Sequence, residues 1–126
     1  MINQDKCEKG LIMENRPWGS FTVLEEGDKY KVKKLVINPH QRLSLQMHQH
    51  RDEHWVVAEG TPLLRCGDIS KEYNIGECIV IKKGELHRIE NKTDSQVIII
   101  EIQNGDYLGE DDIIRIEDDY SRVDKV

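Results

Sequence analysis

Apolar residues in this chain occur in short runs broken by turn residues, and no clean helical stripe of any length appears. The pattern predicts strands at residues 21–24, 30–37, 43–50, 54–58, 63–66, 71–74, 78–81, 88–90 and 97–103. Turn chemistry separates them: Arg16-Pro17-Trp18-Gly19, Glu26-Gly27-Asp28, Asn38-Pro39, Glu59-Gly60, Gly67-Asp68 and Lys82-Lys83-Gly84-Glu85. Strands so short and so evenly spaced predict an all-β sandwich or small barrel. The C-terminal stretch 109–120 departs from the pattern. It is acidic, with Ile113, Ile114 and Ile116 set among charges, and fits either a short helix or an extended tail against the barrel.

Length adds a bound: 126 residues fit one domain, 1–126, with a core of its own. The formal charge of −6 argues against nucleic acid or an anionic membrane as partner, while a small anion in a locally basic pocket stays open. No apolar run reaches membrane-spanning length, and the N-terminus lacks a signal-peptide core. Cys7, Cys66 and Cys78 form no CxxC, which predicts reduced thiols and a cytoplasmic protein.

The chemistry concentrates in residues 43–55. On a pleated strand, Leu43, Leu45 and Met47 point one way, and Ser44, Gln46, His48 and His50 the other. One face is apolar. The other carries metal-type ligands, with Glu53 close behind. Gln46, His48, His50 and Glu53 are therefore all ligand candidates. His87 follows a glycine turn further along and precedes another strand.

These two segments resemble the paired motifs of the cupin superfamily, whose fold is a double-stranded β-helix, a small jelly-roll-like barrel. The second motif matches at Gly76, Gly84, His87 and Asn91, with Lys82 in place of its proline. The first fits in spacing when Gln46 takes the first histidine place, His48 the second, Glu53 the glutamate and Gly60 the closing glycine. His40 then stands where the opening glycine would be. This register implies Gln46, His48, Glu53 and His87 as the ligands of a divalent metal, most naturally zinc, with manganese, cobalt or nickel as alternatives. A turn around Arg51-Asp52 would bring Glu53 back onto the ligand face, and His50 would lie beside the metal as a spare proton carrier or substitute ligand.

A narrower resemblance covers about residues 16–122. Arg16-Pro-Trp-Gly-Ser-Phe21, Leu43-Ser-Leu-Gln46, Glu53-His-Trp-Val-Val57 and Gly105-Asp-Tyr-Leu-Gly-Glu-Asp-Asp-Ile113 are similar to the type II phosphomannose isomerase domain. That domain forms the C-terminal part of bifunctional mannose-1-phosphate guanylyltransferase/mannose-6-phosphate isomerases. The resemblance implies a free-standing isomerase of mannose 6-phosphate and fructose 6-phosphate, active in nucleotide-sugar biosynthesis, and a homodimer. The glycine-rich loop of the guanylyltransferase half has no counterpart in these 126 residues. On this reading His50, Arg51 and Glu101 are the catalytic candidates, and Arg51 is also a phosphate clamp. Lys31, Lys33 and Arg88 are the substrate-binding cations. Trp18 and Trp55 are sugar-stacking or packing residues. Two other readings keep the pocket without turnover: a sugar-phosphate-binding module, or an accessory subunit of a separate guanylyltransferase.

Overall fold

Eleven strands make up the regular structure of residues 11–122, the part of the chain described in this computed structural model. In chain order they are β1 (Met13–Arg16), β2 (Gly19–Glu26), β3 (Tyr30–Ile37), β4 (Leu45–Met47), β5 (Arg51–Glu59), β6 (Leu63–Cys66), β7 (Ile69–Glu72), β8 (Cys78–Ile81), β9 (His87–Glu90), β10 (Val97–Gly105) and β11 (Ile114–Glu117). They form two antiparallel sheets. The six-stranded sheet has the order β1-β2-β3-β10-β5-β8 and the five-stranded sheet β11-β4-β9-β6-β7. The all-β expectation holds, with no helix among the described residues.

Several boundaries differ from the pattern-based ones. The expected strand 43–50 shrinks to β4, because His48 leaves the ladder and the chain turns at Gln49-His50. The turn placed at Arg51-Asp52 is thus two residues earlier, and both residues belong to β5. Residues 109–120 contain no helix: β11 pairs along β4 and extends the second sheet. β1 was not expected; Pro17-Trp18 is the tight turn of a β1–β2 hairpin. Pro62, without an N–H to give a ladder, sits just before β6, whose bounds are those the pattern predicts.

Register sorts the interior of the first sheet. Across β3, β10 and β5, Leu35, Ile99 and Val57 form one row. The next inward-facing row is Lys33, Glu101 and Trp55, and the one after it Lys31, Gln103 and Glu53. Antiparallel pairing sets the starts of β3 and β5 against the end of β10, so the polar residues of three strands meet at one end. The other end is filled by Ile37, Val57, Leu64, Val97 and Ile99, with Phe21, Leu35 and Ile89 between them and the polar residues.

The glycine-type positions of the two motifs carry the turns. Gly60, Gly76 and Gly84 have φ of +83°, +89° and +79°. His40 adopts φ +62°, the left-handed conformation that a glycine would take without strain. Asn91 is wholly buried; its amide donates to the carbonyls of Ile37, Asn38 and Ser95 and fastens the loop after β9.

Candidate metal centre

The polar end of the sandwich encloses a cavity of about 120 Å³. His48, Glu53 and His87 meet there, all buried, with one ligand atom of each within 4.8 Å of the others. Gln46 pairs directly across from His87 on the neighbouring strand, and it lines the same cavity. The structure therefore brings together the four ligand candidates chosen by spacing.

Hydrogen bonds orient both imidazoles. His48 Nδ1 donates to the carbonyl oxygen of Asp112, and His87 Nδ1 donates to that of Glu85 at 2.9 Å. Each ring then turns an Nε2 lone pair inward. The His87 Nε2 is buried without a hydrogen-bond partner and lies 3.9 Å from Glu53 Oε1. The His48 Nε2 is 3.1 Å from Glu53 Oε2. A buried acceptor with no donor is costly, and of these ligand atoms His87 Nε2 is the one left so, which a bound cation would satisfy. A backbone carbonyl on the far nitrogen is the usual support of a metal-binding histidine. The residues present thus fit a divalent metal, and the two nitrogens, one carboxylate and one amide suit zinc or a neighbouring first-row ion.

Glu53 is the hub. Trp55 Nε1 donates to its Oε1 at 2.9 Å and Arg51 Nε to its Oε2 at 2.8 Å, while Arg51 Nη2 reaches His48 Nε2 at 3.2 Å. Burial alone would raise the Glu53 pKa. His48, His87 and the Arg51 guanidinium beside it overcome that and hold the carboxyl well below the usual range. Burial pulls His87 down to about 4 against the attraction of Glu53. Trp55 stacks edge-on against His87 at 5.4 Å, so its place is in positioning Glu53 and His87.

Glu101 lines the cavity one row from Glu53, and Gln103 Nε2 donates to its Oε2 at 2.8 Å. Burial pushes the Glu101 carboxyl up to about 7, the charge of Glu53 adds to that, and Lys33 and Arg51 oppose it. A carboxyl so placed can accept or release a proton near neutral pH.

The expectation that His50 continues the ligand face is corrected. Alternation ends where the strand ends, at Met47, and His50 lies exposed in the following turn, outside the cavity lining and edge-on to Tyr107. Lys31 and Lys33 are buried rather than open to a ligand. Lys31 Nζ donates to the Leu108 carbonyl at 3.0 Å, and Lys33 Nζ binds Glu110 at 2.6 Å. Lys33 lines the cavity and Lys31 does not. Arg88 lines it too, but its guanidinium is committed to the Leu43 carbonyl and to Glu117.

Sequence reasoning allowed an extended tail against the barrel but missed what the strap between β10 and β11 supplies to the site. Besides Leu108 and Glu110, it supplies Asp112, whose carboxylate accepts the N–H groups of Gln49 and His50 at 2.9 and 3.0 Å. Gly105 permits the close approach: a Cβ there would lie 2.2 Å from the His50 carbonyl. No residue type announces a ligand held by a backbone carbonyl 64 positions away. Gln103 did carry a signal, because alternation from Glu101 puts it on the same face.

Known proteins bear on this arrangement. A cupin-2 domain protein from Rhodospirillum rubrum superposes with a TM-score of 0.70 at 15% identity, covering 82% of this chain and 78% of that one. The fold is that of the cupins. Mannose-1-phosphate guanylyltransferase 2 of Escherichia coli O157:H7 is 45% identical over 109 residues, 86% of this chain and 23% of the relative. The alginate biosynthesis protein AlgA of Pseudomonas aeruginosa is 44% identical over 108 residues, 86% of this chain and 22% of that protein. The chain spans less than a quarter of the length of these relatives. A family described as Mannose-6-phosphate isomerase C-terminal matches residues 3–118, and with the cupin fold and the buried His-Glu-His group in place, the chain belongs to that family.

Proposed function

We propose that the chain is an isomerase of mannose 6-phosphate and fructose 6-phosphate, dependent on a divalent metal, with zinc favoured. The observation that carries the reading is the buried His48, Glu53 and His87 group, with its unpartnered His87 nitrogen, beside a buried carboxyl poised near neutrality. A metal bound there would supply Lewis-acid polarisation of the sugar carbonyl. The remaining chemistry falls to the chain. Glu101 takes the proton from C2 as the C1–C2 double bond of an enediol forms and O1 gains a proton. It returns its proton to C1 as the C2 carbonyl forms and O2 gives up its hydroxyl proton. That balances the proton that O1 gained, so C2–H and O2–H are exchanged for C1–H and O1–H with no net proton taken up. Gln103 holds Glu101 in place, and Arg51 and Trp55 hold Glu53. Trp18, Phe21 and Leu35 wall the cavity and keep water from the reacting carbons.

Isomerase activity of the pure chain on mannose 6-phosphate tests the reading directly. Turnover should vanish on chelation and return with zinc, manganese, cobalt or nickel. Folded protein that turns over with none of the four sinks it. The relatives' names then favour a second reading, a sugar-phosphate-binding accessory of a separate guanylyltransferase.

A further inference from the structure

Arg51 lies beside the metal-type ligands, and its guanidinium is only partly used. Nε donates to Glu53 Oε2 at 2.8 Å and Nη2 to His48 Nε2 at 3.2 Å. Nη1 is buried and has no hydrogen-bond partner. The carboxylates of Glu53, Glu101 and Glu110 act on this guanidinium through their charge and line the same cavity, yet none accepts from Nη1. Each is committed elsewhere: Glu53 to Arg51 Nε and Trp55, Glu101 to Gln103, Glu110 to Lys33. A charged donor left over in a cavity wall points to an acceptor that enters from outside.

Nη2 and a metal compete for the same lone pair. His48 Nδ1 donates to the Asp112 carbonyl, so the ring has its free lone pair on Nε2. Without metal, the guanidinium takes it. A cation held by His48, Glu53 and His87 takes it instead, and Nη2 joins Nη1 without an acceptor. The same event adds positive charge beside a buried guanidinium. Buried charges of like sign are tolerated only with a counter-charge and with acceptors for their donors. Nη1 and Nη2 lie in one plane, the fork that receives both oxygens of a carboxylate.

We propose that metal binding turns the outer edge of Arg51 into a site for an oxyanion of carboxylate type, so that metal and anion bind cooperatively. The inference rests on the metal centre proposed above and not on the sugar. In the proposed isomerisation, the occupant is the substrate oxygen on which negative charge develops as the C2 proton leaves. Arg51 then has two states: it caps His48 in the empty site and faces the anion in the loaded one.

Formate, the smallest carboxylate, is the probe. Zinc affinity of the full chain is read by chelator competition with and without formate, perchlorate keeping the ionic strength constant. Formate affinity of the zinc-loaded and zinc-free chain is read by calorimetry. Formate should tighten zinc binding about five- to a hundredfold, and zinc should tighten formate binding by the same factor, as linkage requires. Without formate, Arg51→Gln should bind zinc more tightly than wild type, because a competing donor and a like charge are gone. With formate it should show little of the wild-type factor. Arg51→Lys keeps the charge but not the fork and should keep part of that factor. An equal factor in wild type and Arg51→Gln overturns the proposal, since the metal alone would then hold the anion. So does wild-type zinc affinity that ignores formate, which would mean that Glu101 or Glu110 turns to Arg51 when metal enters. Should Arg51→Gln fail to fold, an equal factor in wild type and Arg51→Lys overturns it. Wild type that binds no zinc refutes the metal centre and the anion site with it. Linkage in a chain without isomerase activity supports the anion site and refutes the isomerase alone.

Discussion

Leu35, Ile99 and Val57 form one row across β3, β10 and β5; Lys31, Gln103 and Glu53 form another on the same face of the same three strands. Both rows are buried. At the first, burial is favourable by itself, at about 25 cal/mol for each Å² of apolar surface. At the second it is unfavourable for every charge, and only pairing makes it tolerable. Glu53 is held by Arg51, and Lys31 by the Leu108 carbonyl with Glu26 and Glu110 at 3.8 Å. The apolar end thus stabilises the sandwich, while the polar end draws on that stability to keep ligand atoms dry and aimed. The comparison teaches that site and core here are not separate layers. They are two ends of one register.

Two substitutions should probe the two ends with losses of similar size. In metal-free protein, Arg51→Gln leaves the Glu53 carboxylate buried without its guanidinium and should cost about 3–5 kcal/mol. Ile99→Ala opens a cavity in the apolar end and should cost about 2–5 kcal/mol. Zinc tells them apart. Removing the Arg51 charge, whose Nη2 and Nε bond His48 and Glu53, should tighten zinc binding and so give that variant the larger zinc-induced rise in denaturation midpoint. Equal rises in both variants would show that the polar end has no electrostatic coupling to metal.

A second test concerns pH in the metal-free protein. His87 has its pKa lowered to about 4 by burial, so its share of stability is complete above about 6.5 and is lost as pH falls toward 4. Glu101 has its pKa raised to about 7, again by burial first, so its share is complete below about 4.5 and is lost as pH rises toward 7. Between about 4.5 and 6.5 the two slopes oppose one another, and wild-type stability should be nearly flat on their account. Glu101→Gln removes one slope. Its stability should then rise with pH by about 3 kcal/mol between pH 4 and 6.5, read from urea midpoints. A Glu101→Gln profile parallel to wild type would mean that the two groups do not titrate as their burial dictates.

How much of this was readable beforehand depended on distance along the chain. Gly60, Gly76, Gly84 and His87 were legible because a left-handed turn followed by a strand is a local requirement, and Asn91 because its bonds serve the next loop. Even His40 was placed correctly by spacing, although its residue type argues against φ +62°. The pairing of Gln46 with His87 and Arg115 was not legible. It depends on β4 lying between β9 and β11, a matter of topology. The contacts of the strap were missed for the same reason. Its acidic residues look like a solvated tail until Lys31, Lys33 and His48 are found beneath them.

The smallest expected effect belongs to His50, the histidine that alternation placed in the site. A two-residue period holds only while the chain stays pleated, and β4 ends at Met47. From there His48 turns inward, tied to the Asp112 carbonyl, while His50 faces solvent beside Tyr107. Only its backbone N–H is held, by the Asp112 carboxylate, and a substitution leaves that bond intact. His50→Ala should therefore shift stability by less than about 0.5 kcal/mol, the usual range for an exposed side chain. If Glu101 carries the proton in the isomerisation, the variant should keep kcat within a few-fold of wild type and the same pH profile. A loss of kcat by about a hundredfold or more, with zinc binding intact, would be the size expected of a general base. It would mean that the turn closes over the cavity when substrate binds, and that the polar end of the sandwich has a proton carrier on each side.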